Sequence, residues 1–208
     1  MNPLPFLSPG ASRIARRTCL LAGGAWLATA LAGCDRAKPS YKSIDLTGAD
    51  FGRGFSLQDP EGRTRTLEDF RGRYVMLFFG FTQCPDVCPT ALTRAVEVRR
   101  LLGADAEKLQ VLLVSVDPER DTPELLRNYT ANFDPSFIAL RGSMQATQDV
   151  AKEFKIYYSK VPAGSSYTMD HTALTYILDP KGQLRLAIRH EQSPEDVATD
   201  LRTLISAG

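Results

Sequence analysis

The sequence has few of the side chains that most often build metal sites and disulfide scaffolds. Its 208 residues contain four cysteines, two histidines and one tryptophan. Small secreted domains held together by disulfides carry more cysteines at wider spacings, so that class is excluded. Any chemistry that uses thiols or imidazoles must therefore depend on a few identifiable positions.

Acidic residues are missing from the start of the chain, and the first one is Asp35. Three arginines precede an uncharged run over residues 18–33. A basic start, an apolar run and small residues at its end are typical of an export signal. The run is rich in Gly and Ala and shorter than the about 20 apolar residues that a transmembrane helix needs. We therefore expect residues 1–33 to be a signal peptide.

The apolar run ends in "LAGC", at Cys34. This motif resembles the lipobox of bacterial lipoproteins, in which the cysteine is lipidated and becomes the new N-terminus. By the same resemblance, Asp35 indicates retention in the inner membrane, so we expect an inner-membrane lipoprotein that faces the periplasm. A signal peptide cut elsewhere and an uncleaved anchor are the alternatives. Arg16-Arg17 leaves both general secretory and twin-arginine export open.

Charges of both signs are nearly balanced in the predicted mature chain. Without residues 1–33 the 208-residue chain is 175 residues long, and its 25 basic residues fall by three to 22, against 24 acidic ones. The absence of a basic face or tail disfavours nucleic acid as a partner. Residues 35–50 are polar and lack apolar periodicity, so we expect residues 34–50 to be a lipidated cysteine and tether. Residues 51–208 are then one domain.

The apolar pattern of this domain predicts strands that alternate with helices. The turn-rich "QDPEG" lies between two short β-prone stretches and predicts a small opening hairpin. Continuous apolar runs at 74–79, 109–116 and 136–140 predict buried strands, each followed by helical periodicity. A second hairpin around "DPKG" precedes a last helix, and residues 155–171 are predicted as a looser connection. This order is similar to the thioredoxin fold, so we expect an α/β, thioredoxin-like domain with an N-terminal β-hairpin addition.

Cys84 and Cys88 lie in "FGFTQCPDVCPT", directly after the first core strand. On a helix, residues four apart have Cβ atoms about 5–6 Å apart, which is wider than the ~3.5–4.5 Å of a disulfide. Pro89 allows another arrangement, in which the helix begins at Cys88 after a flexible turn. In both arrangements a nearby helix N-terminus lowers the thiol pKa. The pair is predicted either to exchange with disulfides or to bind a soft metal ion such as Cu(I) or zinc.

A metal site built on two thiolates requires a third ligand, and the chain offers two histidines. His190 follows a predicted hairpin strand and is expected to be a surface or capping residue. His171 directly precedes a predicted central strand, in a loop that lies beside the Cys turn of a thioredoxin-like fold. Thioredoxins carry a cis-proline there, where this chain has Asp170-His171. We therefore predict Cys84, Cys88 and His171 as metal ligands.

Three other side chains lie near these motifs in the sequence. Asp117 begins "DPERDTP" at the end of the second core strand, at the same sheet edge as the cysteines. It either supports the ligands by a hydrogen bond or only ends the strand. Asp86, between the thiols, is expected to be exposed, and Met169 is expected to contribute packing.

These stretches resemble the Sco (SenC) family of copper-binding, membrane-anchored proteins. The matching pieces, in the family's order, are "FFGFTQCPDVCPT", "VSVDPERDTPE", "NYT", "YYSKV" and "YTMDHTALTYILDP". The family's cysteine ligands fall on Cys84 and Cys88, and its histidine ligand falls on His171. The resemblance implies a domain that holds copper, as Cu(I), Cu(II) or both, and assists assembly of the CuA centre of cytochrome c oxidase. Many relatives use a transmembrane helix in place of the lipobox.

The resemblance implies the CuA subunit of the oxidase as a partner, together with a copper donor or a thiol–disulfide partner. A thiol–disulfide reductase is the main alternative, with Cys84 and Cys88 as catalytic thiols and no role for His171; both activities can coexist. A thiol peroxidase is disfavoured because the reactive Cys of peroxiredoxins follows a Thr by three residues, whereas Thr82 precedes Cys84 by two. A passive lipoprotein scaffold would have inert thiols. Whether the protein is an enzyme stays open.

Overall fold

The computed structural model describes residues 39–207. The predicted signal peptide and Cys34 lie outside this part of the chain. Within it, no helix has the length and apolar composition that crossing a membrane requires. The strands are β1 (Ile44–Asp45), β2 (Ser56–Gln58), β3 (Thr64–Thr66), β4 (Tyr74–Gly80), β5 (Leu109–Ser115), β6 (Ile138–Leu140), β7 (Tyr158–Ala163), β8 (Ser166–His171), β9 (Thr175–Leu178) and β10 (Leu184–Ile188). The α-helices are α1 (Val87–Leu102), α2 (Pro123–Ala131), α3 (Met144–Glu153) and α4 (Pro194–Ala207).

A six-stranded sheet forms the centre of the fold, in the order β1-β10-β9-β4-β5-β6. β5 runs parallel to both β4 and β6, whereas β9 pairs with β4 in the antiparallel direction. Every residue of β4 and β5 is buried, as their continuous apolar runs predict for strands covered on both faces. The carboxyl ends of these two strands therefore meet at one edge of the sheet, where the loops with the Cys pair and Asp117 begin.

Three of the α-helices begin with a side-chain cap. The side-chain oxygens of Thr122, Ser143 and Ser193 each accept a hydrogen bond from the amide three residues further along the chain. The opening hairpin β2–β3 and the hairpin β9–β10 also form, and α4 packs against α1. The predicted α/β, thioredoxin-like arrangement with an added N-terminal hairpin is thus confirmed.

The tether predicted over residues 34–50 is wrong in its second half. Ile44–Asp45 form β1, which pairs with β10. The amides of Lys42 and Ser43 donate hydrogen bonds of 2.9 and 2.8 Å to the buried carboxylate of Asp200. These contacts are made by the main chain, so they leave no apolar periodicity in the sequence. The domain therefore begins before its predicted boundary.

The segment predicted as a looser connection, residues 155–171, is mostly a β-hairpin. β7 and β8 pair from Tyr158 opposite His171 to Ala163 opposite Ser166. They form a separate two-stranded sheet, and most of β7 is exposed. An exposed strand needs no alternation of apolar and polar residues, so this stretch carries no periodic strand signal.

Candidate metal centre

Cys84 lies in the loop after β4, and Cys88 lies in the first turn of α1. The helix begins at Val87, one residue before the start at Cys88 that Pro89 allows. The amide of Cys88 points at the Sγ atom of Cys84, with 3.4 Å between nitrogen and sulfur. Both cysteines are free thiols; Cys84 is half-buried and Cys88 is buried. Cys84 is therefore the more accessible cysteine of the two, and Cys88 forms part of the core.

His171 is the last residue of β8, and the hairpin places its ring against the thiols. Nε2 lies 3.7 Å from the Sγ atom of Cys88. Nδ1 lies 3.1 Å from the carbonyl oxygen of Thr172, which can only accept a hydrogen bond. Nδ1 is therefore the nitrogen that can donate to this oxygen, and Nε2 is the nitrogen that faces the sulfur. Histidines that bind metals are commonly oriented by such a hydrogen bond from the other ring nitrogen.

The ligand atoms of Cys84, Cys88 and His171 all lie within 4.8 Å of one another. The expected proximity of the His171 loop and the Cys turn is thus confirmed. Two soft sulfurs and one imidazole suit Cu(I), Zn²⁺ or Cu(II) by their chemistry. Phe78 and Phe81 contact the imidazole edge-on, with ring centroids 6.0 and 5.9 Å away. The apolar rings shield one side of the donor group from water.

The two thiols differ strongly in acidity. Hydrogen bonding from the Cys88 thiol, with further hydrogen bonds from His171 and the amides of Asp86 and Cys88, lowers the pKa of Cys84 to about 4. The hydrogen bond to Cys84 and burial raise the pKa of Cys88 above its ordinary value. Over most of the pH range the pair therefore carries one negative charge, on the more accessible sulfur.

Gly80, the last residue of β4, makes room for the buried thiol. A Cβ atom at this position would lie 2.8 Å from the Sγ atom of Cys88 and 2.6 Å from the ring of Phe78. Both distances are shorter than real Cβ contacts, so any side chain would displace the sulfur or the ring. The absence of a side chain at residue 80 thus allows helix α1 to begin directly against the strand.

Asp117 is buried, and its carboxylate accepts hydrogen bonds from Tyr167 and Arg120 rather than from a thiol. Oδ1 accepts from the hydroxyl of Tyr167 at 2.9 Å, and Oδ2 accepts from Nε of Arg120 at 2.5 Å. Tyr167 belongs to the hairpin that carries His171. A role for Asp117 at the site thus stays a prediction, and the route by which it would act is through this hairpin.

The sequence reasoning missed Asp121, a buried carboxylate beneath the loop of the thiols. It accepts hydrogen bonds from the amide and hydroxyl of Thr82, at 3.1 and 2.6 Å, and from the hydroxyl of Ser115 at 2.6 Å. Desolvation by burial raises its pKa, against the hydrogen bonds from Ser115 and Thr82 that lower it. Its place in "DPERDTP", among other acidic residues, gave no sign of this role.

The remaining candidates lie apart from the donor group. Asp86 is exposed, as expected. Met169 is buried in the hydrophobic core, as expected. His190 is half-buried, and its carbonyl oxygen accepts a hydrogen bond from the buried guanidinium of Arg94. This bond is made by the main chain and helps to close the loop between β10 and α4; among the described residues, the imidazole of His190 is not part of the donor group.

Comparison with known proteins gives a consistent result. The SCO1/SenC family model matches residues 45–206. The mitochondrial SCO2 homolog of Bos taurus is 37% identical over 190 residues, which are 89% of this chain and 71% of that protein. Several Rickettsia SCO2-like proteins also match, including that of Rickettsia conorii, 30% identical over 183 residues and covering 86% of this chain and 89% of that protein.

Solved structures show the same relationship. Bradyrhizobium japonicum ScoI with copper bound is 41% identical, with a TM-score of 0.68, and the match covers 74% of this chain and 98% of that one. Apo Sco1 from Thermus thermophilus is 36% identical, with a TM-score of 0.72, and the match covers 81% and 99%. The similarity thus spans the whole of both solved domains and includes one that holds copper.

Proposed function

The chain belongs to the SCO1/SenC family, and on this premise we propose that it is a copper metallochaperone whose ligands are Cys84, Cys88 and His171. Proteins of this family bind copper and take part in cytochrome c oxidase assembly. The observation that carries the proposal is the approach of three suitable donor atoms to within 4.8 Å of one another. The finer proposal is that the copper is destined for the CuA centre of the oxidase.

The chemistry of the donors fits a copper carrier. Two thiolates favour Cu(I), and the imidazole adds a ligand that is suitable for both oxidation states. Nε2 of His171 already faces the sulfurs while Nδ1 lies against the carbonyl oxygen of Thr172, so the ring needs no reorientation to bind a metal. The low pKa of Cys84 means that one thiolate is available at neutral pH before metal arrives.

Delivery requires that an acceptor protein can reach the bound ion. Cys84 is half-buried rather than buried, and the adjacent Pro85 and Asp86 are exposed. An incoming ligand of the acceptor can therefore approach from the side of Cys84. We propose that copper leaves by exchange of ligands on this side, while Cys88 stays in the core.

Copper titration of the purified domain tests the assignment of ligands. We expect one copper ion per chain, and a large loss of affinity in Cys84→Ser, Cys88→Ser and His171→Ala. His190→Ala is the matched control, because it removes the only other histidine from a position outside the donor group. Full copper affinity in His171→Ala would remove the third ligand and with it the carrier proposal.

A cellular experiment tests the destination of the metal. Deletion of the gene should lower cytochrome c oxidase activity, and added copper should restore it if the protein delivers copper. Restoration by a thiol reductant alone would instead favour the redox alternative. Unchanged oxidase activity in the deletion strain, at low copper, would contradict both.

A thiol–disulfide reductase is the second candidate, and the low pKa of Cys84 favours it. In this reaction the thiolate of Cys84 attacks a disulfide of the partner, and one partner sulfur leaves as a thiolate. Cys88 then loses its proton and attacks Cys84 in the mixed disulfide. The partner leaves as a reduced dithiol and Cys84–Cys88 becomes a disulfide. Cys88→Ser should trap the mixed disulfide, and His171→Ala should leave its formation intact.

We also propose that Cys34 is lipidated and holds the domain on the periplasmic face of the inner membrane, after removal of residues 1–33. The support is the sequence motif "LAGC" at the end of the uncharged run. Mass spectrometry of the N-terminal peptide should find a diacylglyceryl-modified cysteine. Cys34→Ala should leave the precursor uncleaved, and an unmodified N-terminus at another residue would contradict the proposal.

A further inference from the structure

The third proposed ligand is attached to the domain in a different way from the two thiols. Cys84 and Cys88 follow directly from β4 and α1, which belong to the central sheet and its covering helices. His171 ends a hairpin whose two strands pair only with each other. The ladder of the six-stranded sheet therefore does not fix the distance between the imidazole and the sulfurs.

The side chain of Arg120 contacts this hairpin near the histidine. Nη1 of Arg120 donates a hydrogen bond of 2.8 Å to the carbonyl oxygen of Tyr167. The guanidinium also lies over the ring of Tyr167, with Cζ 3.7 Å from the ring centroid. Tyr167 is four residues before His171 in β8. A planar cation stacked on an aromatic ring and bonded to the same residue holds that strand in two directions.

The same guanidinium contacts the loop of the thiols. Nη1 donates a 3.0 Å hydrogen bond to Oε1 of Gln83, the residue before Cys84. Cζ also lies 5.9 Å from the ring centroid of Phe81, and that ring meets the imidazole of His171 edge-on at 5.9 Å. Arg120 thus touches both the hairpin with the histidine and the loop with the cysteines.

The position of Arg120 is itself fixed by a buried carboxylate. Nε donates to Oδ2 of Asp117 at 2.5 Å, and the Asp117 side chain is only 1% exposed. The amide of Asp117 is bonded to the hydroxyl of Ser115 at the end of β5, which ties the pair to the central sheet. Two further contacts join the hairpin to the loop of residues 117–120. The hydroxyl of Tyr167 donates to Oδ1 of Asp117 at 2.9 Å, and the exposed pair Lys160–Glu119 adds little.

We infer that Arg120 is a positioning residue that holds His171 against the Cys84–Cys88 pair. The inference rests on the proposed function, in which these three residues bind copper. Arg120 touches no ligand atom, so it acts on the metal only through the place of the histidine. A lysine would keep the charge, but it lacks the planar fork that bonds Asp117, Gln83 and Tyr167 at once.

Copper binding in a double-mutant cycle tests the inference. Arg120→Met should lower Cu(II) affinity by about 10- to 100-fold, the range found when a residue that orients a metal ligand is removed. In the His171→Ala background the same substitution should change the affinity less than about twofold. Arg120→Lys should show an intermediate loss. The control is Arg127→Met, because Arg127 is half-exposed and pairs with Glu61, away from the hairpin.

A measurement without metal separates this inference from the proposed function. Hydrogen exchange of the apo protein should be faster in β7 and β8 of Arg120→Met and unchanged in β4 and β5. Equal losses of affinity with and without His171 would overturn the inference, as would wild-type affinity in Arg120→Met. Copper binding that is independent of His171 in the wild-type chain would instead overturn the proposed function. If Arg120→Met does not fold, Arg120→Lys and Tyr167→Leu provide the same comparison.

Discussion

The Sγ atom of Cys88 lies 3.7 Å from Nε2 of His171, although 83 positions separate the two residues in the chain. Cys88 lies in the first turn of a core helix, and His171 ends a hairpin outside the central sheet. The site therefore forms only when these two parts of the fold are assembled. Its properties should respond both to changes at the thiols and to changes that loosen the hairpin or the loop.

Selective alkylation of Cys84 is the first prediction. Because its pKa is lowered to about 4, Cys84 is a thiolate above pH 5 and loses reactivity only as the pH falls through about 4. Iodoacetamide should label Cys84 in the folded protein at a nearly constant rate between pH 5.5 and 8. Buried Cys88, whose pKa is raised, should stay unlabelled. Peptide mass spectrometry measures both, and a Cys84 rate that rises tenfold per pH unit through pH 7 would contradict the prediction.

The number of protons released by copper binding is the second prediction. At pH 8, Cys84 is already ionised, and Cys88 still holds its proton. Binding to both sulfurs should therefore release about one proton per copper ion, rather than two. Calorimetry in buffers of different ionisation enthalpy gives this number. Cys88→Ser should release close to none, and two protons from the wild-type chain would show that Cys84 is not ionised beforehand.

Asp121→Asn is expected to destabilise the fold below the thiol loop. The carboxylate accepts hydrogen bonds from the amide and hydroxyl of Thr82 and from the hydroxyl of Ser115. The NH₂ group of an asparagine side chain would face at least one of these three donor groups and could not accept its hydrogen bond. A buried polar group without a partner costs about 1–3 kcal/mol, so the free energy of unfolding in urea should fall by that amount. Asp105→Asn, in a half-exposed pair with Lys108, is the control and should change it by less than about 0.5 kcal/mol.

Gly80→Ala is expected to disturb the site directly. The added methyl group would lie 2.8 Å from the Sγ atom of Cys88, so the thiol or the helix start must move. Overpacking of this kind costs about 1–3 kcal/mol in stability, and copper affinity should fall as well. Gly54→Ala is the matched control, because a Cβ atom there meets nothing within 4 Å. Wild-type stability and affinity in Gly80→Ala would mean that the contact is easily relieved.

Asp200→Ala is expected to release the N-terminal segment. The amides of Lys42 and Ser43 would lose their acceptor, at a cost of about 1–3 kcal/mol. Limited proteolysis should then cut between residues 40 and 46 much faster than in the wild-type chain. The central strands should keep their protection from hydrogen exchange. Unchanged cleavage would mean that pairing of β1 with β10 holds the segment without help from Asp200.

Much of the fold follows from strong local signals in the sequence. β4 and β5 lie in continuous apolar runs that predict buried strands, and the helical periodicity after each run predicts the helix that follows. The candidate ligands also stand out, because thiols and imidazoles are rare in this chain. Their juxtaposition followed only from the topology of a similar fold, not from any local pattern.

The parts that sequence reasoning missed depend on the main chain or on distant partners. β7, β8 and β1 are short or exposed, so their strand pairing leaves no periodicity to detect. Asp121 and Arg120 occur in a charged loop sequence, and only the folded chain shows which of these charges become buried and paired. Long-range side-chain contacts of this kind have no signature at the level of neighbouring residues.

The contacts of Lys42 and Ser43 with Asp200 also limit the length of free chain between Cys34 and the domain. If Cys34 carries the lipid, the chain from Cys34 to Tyr41 has seven steps, which span at most about 25 Å when fully extended. The domain would then stay within a thin layer above the bilayer. An acceptor would have to present its own metal site within that layer, as a protein embedded in the same membrane does.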